Sequence, residues 1–297
     1  MASIAFIGLG NMGGPMAANL VKSGGQVLGF DVVPASRQAA AQDGVQIVAN
    51  AGGTVDDADI VITMLPGGEQ VLSVWNDIVP RARQGTLFID CSTIDVASAR
   101  KAHALAAARG IATLDAPVSG GVGGAKAATL TFMVGGSAHA FTRGKPVLER
   151  MGKRVVHCGE AGNGQAAKIC NNMILGASMI AVSEAFVLGE KLGLSHQALF
   201  DVASASSGQC WSLTSYCPVP GPVPASPANN GYKPGFAAAL MLKDLKLARE
   251  AAESVNVETA IGAHAAELYQ RFAEQGHGAL DFSGIINFVR EQSARRS

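Results

Sequence analysis

The chain has 297 residues, a length that suggests two domains. Lys and Arg total 23 and Asp and Glu also total 23, so the formal net charge is zero. The broad positive field that non-specific nucleic-acid binding needs is therefore absent. With 48% hydrophobic and 15% charged residues, the composition also excludes a disordered chain. We expect a folded protein that does not bind nucleic acid.

Composition and spacing also argue against a metal site, disulfide bonds and a membrane span. The five cysteines are an odd number without a CxxC pair, which disfavours a disulfide framework and a zinc site. Of two long uncharged stretches, residues 169–183 are too few to cross a bilayer, and residues 202–232 are interrupted by prolines. We expect no metal, no membrane contact and a reducing compartment: the cytoplasm or, for a processed eukaryotic form, the mitochondrial matrix.

The first half of the chain alternates short β-branched runs with alanine-rich helical segments. The runs predict strands at residues 3–7, 26–30, 59–63, 86–89 and 111–114. Strands that helices separate at this spacing form βαβ units and a parallel sheet. The sequence therefore predicts an α/β fold whose N-terminal part, residues 1–162, is a Rossmann domain with a doubly wound sheet.

Strand signals stop after residue 162, and long helices are predicted at residues 164–192, 235–255 and 258–274. Residues 163–297 are thus expected to form an all-α C-terminal domain. The proline-rich loop at residues 217–230 is too long for a plain connection, so we expect it to be functional or packed on a partner. The apolar helix around residues 171–188 exceeds what a small helical domain can bury, which predicts a homo-oligomer, a dimer or tetramer.

A glycine-rich motif follows the first predicted strand and precedes a helical run at residues 15–22. It consists of Gly8, Leu9, Gly10, Asn11, Met12 and Gly13. In this context the glycines permit a tight turn and a close approach of a pyrophosphate to the backbone, and the helix N-terminus supplies oriented N–H groups. The motif predicts a dinucleotide-binding site.

Asp31 ends the second predicted strand, 18 residues beyond Gly13. A carboxylate at this position accepts hydrogen bonds from a ribose diol and repels a 2′-phosphate. Residues 1–80 contain two basic and seven acidic side chains, which also disfavours an additional phosphate. The predicted cofactor is therefore NAD rather than NADP, although Asp31 could also be an ordinary turn residue.

Residues after the other predicted strands should lie at the same carboxyl edge of the sheet, where doubly wound folds bind ligands. Thr93 follows the strand at residues 86–89, and Leu65 and Pro66 follow the strand at residues 59–63. These positions predict further cofactor contacts.

A glycine-rich turn at residues 115–121 follows the fifth predicted strand. Successive N–H groups around Gly120 and Gly121 could bind an anion such as a substrate carboxylate, and Ser119 adds a hydroxyl donor. The alternative is a flexible loop at a domain edge. The six histidines match no dyad or metal spacing, and we assign no chemistry to them.

Lys168 is the only charged residue between Glu160 and Glu184. On a helix, Asn171 and Asn172 lie three and four residues further along the same face. The pair of asparagines favours an ammonium held in a site, where it could transfer a proton or bind a substrate oxygen. The alternative is a lysine that extends from a helix edge into solvent.

Lys243 occupies a position on the apolar stripe of the helix at residues 235–255. A charge there is unusual, but the neighbouring residues are apolar nearly all round, so the buried face is not sharply defined. The residues alone leave it open whether Lys243 is functional and whether Asp244 is simply a solvated neighbour.

Taken together, these segments resemble the β-hydroxyacid dehydrogenase family. The resemblance runs through residues 6–17, 115–121, 164–172 and 243–245, in the same order, and so covers nearly the whole chain. It implies an NAD-dependent oxidoreductase with Lys168 as the catalytic acid/base. It further implies that Asn172 orients the substrate and that Ser119, Gly120 and Gly121 bind its carboxylate.

The same resemblance implies roles for residues on the cofactor side. Leu65, Pro66 and Thr93 would line the nicotinamide half of the cofactor site, and Gln70 would contact it too. Lys243 would reach both cofactor and substrate from the C-terminal domain, which would serve substrate closure and oligomerisation.

Residues 206–212 resemble in particular the branch of the family that acts on 3-hydroxyisobutyrate. This implies oxidation of (S)-3-hydroxyisobutyrate to methylmalonate semialdehyde, a step of valine breakdown. Alternatives within the family are oxidation of L-serine and reduction of tartronate or succinic semialdehyde, because one methyl or hydroxyl changes discrimination by only about 1–3 kcal/mol. The alternative from another class is a non-catalytic NAD(H) sensor, which needs the glycines and Asp31 but has no use for Lys168.

Overall fold

The computed structural model describes residues 2–294. The chain divides into two compact units, Met1–Lys168 and Ile169–Ser297. The first unit is an α/β structure and the second is helical, so the predicted fold class is confirmed.

A nine-stranded sheet forms the centre of the first unit within the described residues. Its strands are β1 (Ser3–Ile7), β2 (Gln26–Phe30), β3 (Gln46–Ile47), β4 (Ile60–Thr63), β5 (Leu87–Asp90), β6 (Ala112–Asp115), β7 (Val118–Ser119), β8 (Leu130–Gly135) and β9 (Gly152–Gly159). The order is β3-β2-β1-β4-β5-β6-β8-β7, and β9 also pairs with β8. Pairs from β3 to β6 are parallel, whereas β8 runs antiparallel to β6 and β7.

Helices cover both faces of this sheet. They are α1 (Gly13–Lys22), α2 (Pro34–Gln42), α3 (Gly68–Ile78), α4 (Val96–Ala107), α5 (Gly121–Ala127) and α6 (Ala138–Leu148). Alternate residues of β1 enter different cores, because side chains alternate across a strand. Ile4 and Phe6 pack in the core that contains Met16 of α1, and Ile7 packs in the core that contains Trp75 of α3.

The second unit consists of helices around two further apolar clusters. Its helices are the remainder of α7 (Asn163–Lys191), α8 (His196–Ser204), α9 (Trp211–Thr214), α10 (Ala238–Ser254), α11 (Ala260–Phe272) and α12 (Ile285–Ala294). One cluster joins α7, α10 and α11 through residues such as Met179, Met241 and Tyr269. The other joins α7 to the loop after α9 through Phe186 and Val219.

The helix α7 is long and apolar enough to cross a membrane by length and composition, alone among the helices of residues 2–294. Half of its most apolar window is buried within the protein, and core helices of globular proteins pass the same test. Ile174 and Leu188 on this helix are exposed. Length and hydropathy are thus weak evidence for a membrane span here.

All five predicted strands are present, two of them with identical bounds and the others shifted by one residue. The two-residue strands β3 and β7 and the longer strands β8 and β9 were not predicted. A short apolar run such as β8 does not distinguish strand from helix by periodicity, and β9 is largely exposed at the sheet edge. Their pairing depends on contacts within the folded unit.

The proline-rich loop packs against its own unit. Cys217 and Val219 are fully buried, and the Ser226 hydroxyl donates to the Cys217 carbonyl over 2.6 Å. The Tyr232 hydroxyl donates to the Pro218 carbonyl over 2.9 Å. These contacts explain how a segment with few backbone hydrogen bonds keeps a defined path.

Candidate functional site

The three motif glycines have three different physical reasons to be glycine. Gly8 has φ +95°, a left-handed conformation, and its N–H donates to the Phe30 carbonyl over 2.9 Å. A Cβ at Gly13 would lie 1.9 Å from the Gly8 carbonyl oxygen, so α1 can pack on the turn only without a side chain. At Gly10, by contrast, a Cβ would meet nothing within 4 Å.

The open space at Gly10 lies at the N-terminus of α1, where unpaired N–H groups and the helix dipole favour an anion. The motif assigns this cradle to the pyrophosphate of a dinucleotide, whose approach a methyl group at Gly10 would block. The residues present therefore fit the predicted cofactor. Leu9 is buried, and Asn11 and Met12 complete the loop between Gly10 and the helix.

Asp31 lies beside this loop at the end of β2. Its Oδ2 accepts the N–H of Leu9 over 2.7 Å, and its Oδ1 accepts the N–H of Val33, also over 2.7 Å. The backbone carbonyl of Asp31 accepts a hydrogen bond from Arg37, whose guanidinium lies 5.9 Å from the centre of the Phe30 ring. Each carboxylate oxygen keeps a further lone pair, so Asp31 can shape the loop and still accept a ribose hydroxyl.

The predicted cofactor contacts at the sheet edge belong to the ends of neighbouring strands. The Leu65 N–H, directly after β4, donates to the Ser92 hydroxyl oxygen over 2.8 Å, directly after β5. Thr93 is half-buried, whereas Pro66 and Gln70, the latter in the first turn of α3, are exposed. The structure thus brings Leu65 together with the turn that carries Thr93.

Behind this turn lies Asp90, a buried acid that sequence reasoning did not single out. Its Oδ1 accepts hydrogen bonds from the hydroxyls of Thr63 over 2.8 Å and Ser92 over 2.6 Å. Its Oδ2 has no hydrogen-bond partner within residues 2–294. Burial raises the pKa of Asp90 from its ordinary value of 3.8 to about 6, although the bonds from Ser92 and Thr63 act in the opposite direction.

The glycine-rich turn after β6 begins as a short strand and continues as a helix. Ser119 pairs with Thr131 in β7 and β8 and is half-buried. Gly120 and Gly121 have φ of +133° and +61°, so both adopt conformations that L side chains rarely take. The helix α5 begins at Gly121, so its N-terminal N–H groups follow the Ser119 hydroxyl directly.

Lys168 lies in the second turn of α7 and is only 6% exposed. The N-terminus of this helix is held by Asp115, whose Oδ1 accepts the Gly162 N–H over 2.8 Å and whose Oδ2 accepts the Gln165 N–H over 2.9 Å. The alternative of a lysine that extends from a helix edge into solvent does not fit this burial, because such a lysine keeps its ammonium group well exposed.

One turn after Lys168, Asn172 is 1% exposed, and its amide donates to the Asp244 carboxylate. Asn171 donates to the Asn172 side-chain oxygen over 2.9 Å but is itself exposed. The expectation that Asn171 shares the face of Lys168 is therefore not matched by burial, because a residue three positions on lies at the rim of the buried stripe. Asp244 is buried, and Lys243 beside it is half-buried.

Sequence reasoning missed the histidine that the structure places beside Asp115. His103 Nε2 lies 2.9 Å from Asp115 Oδ1, and the Thr113 hydroxyl lies 2.6 Å from His103 Nδ1. Only the folded unit reveals this pair, because a histidine on α4 and an aspartate on β6 have no characteristic spacing. Gln165 was missed for the same reason. Asp244 was left open as a solvated neighbour of Lys243, and its burial excludes that alternative.

Two family models match consecutive parts of the chain. Residues 3–159 match the NAD binding domain of 6-phosphogluconate dehydrogenase. Residues 162–289 match the NAD-binding family of NADP-dependent 3-hydroxyisobutyrate dehydrogenase. A 3-hydroxyisobutyrate dehydrogenase of Pseudomonas aeruginosa is 48% identical over 98% of this chain and 99% of its own length. The chain belongs to the 3-hydroxyisobutyrate dehydrogenase family, a branch of the β-hydroxyacid dehydrogenases. It is accordingly an NAD-dependent hydroxyacid oxidoreductase.

Two further relatives show which acids appear in the names of family members. A solved structure of Mycobacterium tuberculosis 3-hydroxyisobutyrate dehydrogenase with L-serine is 55% identical, covers 98% of this chain and 99% of its own, and superposes with a TM-score of 0.96. An NAD-dependent L-serine dehydrogenase of Pseudomonas aeruginosa is 45% identical over 96% of this chain and 97% of its own length. The family to which the chain belongs thus includes proteins named for two related acids.

Replacing single glycines should separate cofactor binding from folding. In Gly10→Ala we expect unchanged stability and NAD⁺ affinity lower by roughly 10- to 100-fold, because the methyl group occupies the cradle. In Gly13→Ala we expect the free energy of unfolding to fall by about 1–3 kcal/mol, because the new Cβ meets backbone. Urea unfolding and calorimetric titration with NAD⁺ measure both. Unchanged NAD⁺ affinity in Gly10→Ala would contradict the assignment of the cradle.

Removing the Asp90 charge should stabilise the protein in a pH-dependent way. The folded-state pKa is raised, so the contribution of Asp90 to stability is present below about pH 4 and is lost as the pH rises through about 6. The free energy of unfolding of Asp90→Asn relative to wild type should therefore rise by about 3 kcal/mol between these limits. Urea unfolding of both proteins below about pH 4 and above about pH 6 tests this. If the difference in the free energy of unfolding between variant and wild type does not change with pH, Asp90 ionises like an exposed acid.

Proposed function

We propose that the chain oxidises (S)-3-hydroxyisobutyrate to methylmalonate semialdehyde with NAD⁺, a step of valine breakdown, and that Lys168 is the acid/base. The observation that carries the proposal is the enclosure of Lys168 in the second turn of α7, one turn before Asn172. The 48% and 55% identical relatives are both named 3-hydroxyisobutyrate dehydrogenase and match nearly the whole chain, which supports the choice of substrate.

Oxidation of an alcohol removes a hydride from the carbon and a proton from the hydroxyl. When bound, NAD⁺ supplies the hydride acceptor. Lys168 is proposed to take the hydroxyl proton at Nζ, which requires a neutral amine at that moment. Lys168 is buried one turn before the buried Asn172, so its amine is proposed to meet the substrate hydroxyl in an enclosed site. A pure NAD(H) sensor gives no reason for a buried lysine there.

The remaining site residues are proposed to hold and orient the acid. The hydroxyl of Ser119 and the backbone N–H groups at Gly120 and Gly121 would bind its carboxylate, because positive φ turns expose successive donors. Asn172 would orient the substrate beside Lys168, with its own amide fixed by Asp244. Lys243 would add a positive charge toward the carboxylate and the cofactor.

On the cofactor side, Asp31 would bind the adenosine ribose, and residues 8–13 the pyrophosphate. Leu65, Pro66, Gln70 and Thr93 would contact the nicotinamide half. Residues 1–162 are thereby proposed as the NAD-binding domain, and residues 163–297 as the domain for substrate closure and oligomerisation.

A homo-oligomer and a cytoplasmic or mitochondrial-matrix location are also part of the proposal. Exposed apolar side chains on α7 and α11, among them Ile174, Leu188 and Ile261, support association, because such residues gain by leaving water. Relatives from bacteria and from mitochondria support the two locations.

L-Serine is the second candidate substrate. It is favoured by the 45% identical relative named as an L-serine dehydrogenase and by the relative solved with L-serine. Both acids carry a carboxylate and a primary hydroxyl, so the proposed contacts of Ser119, Lys168 and Asn172 serve either. They differ at the carbon between these groups, where one carries a methyl and the other an ammonium.

A steady-state panel tests the function. We expect NAD⁺-dependent oxidation of 3-hydroxyisobutyrate with kcat/KM at least roughly tenfold above that for L-serine, 3-hydroxypropionate and glycerate. Lys168→Ala should lower kcat by roughly 100- to 10,000-fold with NAD⁺ affinity nearly unchanged. Lys191→Ala, an exposed lysine on the same helix, is the matched control. Preference for another acid would change the substrate, and near-normal turnover of Lys168→Ala would remove Lys168 from the mechanism.

The charge of Asp31 should determine the preference for NAD⁺ over NADP⁺. In Asp31→Asn we expect NAD⁺ affinity to fall by roughly tenfold, because a neutral amide with one oxygen, which one of the Leu9 and Val33 N–H groups engages, accepts a ribose hydroxyl less strongly than a carboxylate. NADP⁺ affinity should rise, because the negative charge that repels a 2′-phosphate is gone. Asp43→Asn, an exposed acid just after α2, is the control. Titrations with both cofactors measure the change, and parallel losses for NAD⁺ and NADP⁺ would refute a ribose contact.

A further inference from the structure

Gln165 is a fully buried side chain in the first turn of α7, three residues before Lys168. Its Oε1 accepts the Ile94 N–H over 3.1 Å, and its Nε2 donates to the Ser92 carbonyl over 2.7 Å. Its backbone N–H donates to Asp115 over 2.9 Å. One residue thus joins the start of α7 to the turn after β5 and to the end of β6.

The two peptide groups that Gln165 binds are those on either side of Thr93. One presents a C=O and the other an N–H, so the partner must offer one donor and one acceptor side by side. A neutral amide does so, whereas an ionised carboxylate offers only acceptors and an ammonium only donors. A buried mismatch at either group would cost about 1–3 kcal/mol, so the position is chemically restricted to an amide or its equivalent.

The same turn is held from its other side. The Ser92 hydroxyl donates to Asp90 over 2.6 Å and accepts the Leu65 N–H over 2.8 Å. Ser92 itself is fully buried. The turn at residues 92–94 is therefore hydrogen-bonded to the sheet edge on one side and to α7 on the other. Gln165 makes the contacts to α7, so it fixes the position of the turn relative to Lys168.

We propose that Gln165 is a positioning residue, which holds the Lys168-bearing turn of α7 in register with the cofactor-binding turn at residues 92–94; this rests on the proposed function. Hydride and proton leave the same CH–OH group, so the hydride acceptor and Lys168 Nζ must be aligned with it at once. A misplacement of about 1 Å costs roughly 100-fold in rate. The function assigned to Gln165 is thus alignment, without contact to substrate.

The Gln165→Glu variant tests whether the hydrogen bond that Gln165 Nε2 donates to the Ser92 carbonyl is needed. When protonated, the introduced carboxyl group reproduces the donor and acceptor of glutamine, and when ionised it opposes the Ser92 carbonyl. The kcat of the variant relative to wild type should be lower by at least roughly tenfold near pH 9 and recover at least roughly fivefold near pH 6. The other titratable groups near position 165 are Asp90, Asp115 with His103, and Lys168. Wild type and variant both contain these groups, so their titration cancels when kcat of the variant is divided by kcat of wild type at each pH.

Gln165→Met is the second variant, because it introduces no charge and keeps the side-chain length. It should lose kcat by at least roughly tenfold at every pH, with NAD⁺ affinity and the KM of the acid within about threefold of wild type. Gln42→Glu, an exposed residue at the end of α2, is the matched control. Thermal unfolding of each variant confirms that folded enzyme is compared.

The assay uses whichever of the four acids wild type turns over fastest, so a wrong substrate assignment leaves the test intact. Acid recovery in Gln165→Glu without recovery in Gln165→Met supports the proposal. It is overturned if kcat of either variant stays within about twofold of wild type near pH 9, or if kcat and NAD⁺ affinity fall together at every pH as for a purely structural role. A wild-type chain that oxidises none of the acids overturns the proposed function as well.

Discussion

The carboxylate of Asp115 binds the first turn of α7 at the end of β6, and the placement of the candidate site depends on this contact. Helix N-termini leave N–H groups unpaired and carry a partial positive charge, so a buried carboxylate there is stabilised and in turn positions the helix. Asp115 accepts the N–H groups of Gly162 and Gln165 and is itself held by His103. Lys168 follows one turn later on the positioned helix.

Asp90 and Asp115 are register partners on the adjacent strands β5 and β6, yet their surroundings differ. Asp115 is bound by backbone N–H groups and by His103, whereas Asp90 is bound mainly by hydroxyls and keeps one oxygen without a partner in the described chain. Burial therefore raises the pKa of Asp90, and the neighbouring Asp115 charge adds to this. Asp90 therefore takes up a proton at a higher pH than an exposed aspartate does.

Local signals predicted much of the fold and the cofactor side of the site. The glycine spacing after β1 and the carboxylate after β2 are short-range patterns, and the structure places Gly8, Gly10, Gly13 and Asp31 around one loop. Lys168 was conspicuous because it is the only charge in a long apolar stretch of sequence. By contrast, Gln165 is an ordinary polar residue in the sequence, and its partners lie 71 and 73 positions away.

The sequence by itself determined the five alternating strands β1, β2, β4, β5 and β6, the glycine-rich loop and the residue types available for chemistry, because each of these depends on neighbours within one element. Only the tertiary structure decided which buried polar groups satisfy one another: His103 with Asp115, Asn172 with Asp244, and Gln165 with the turn at residues 92–94. A buried donor must find an acceptor wherever the packed chain brings one, and that choice is made by packing of distant segments rather than by spacing along the chain.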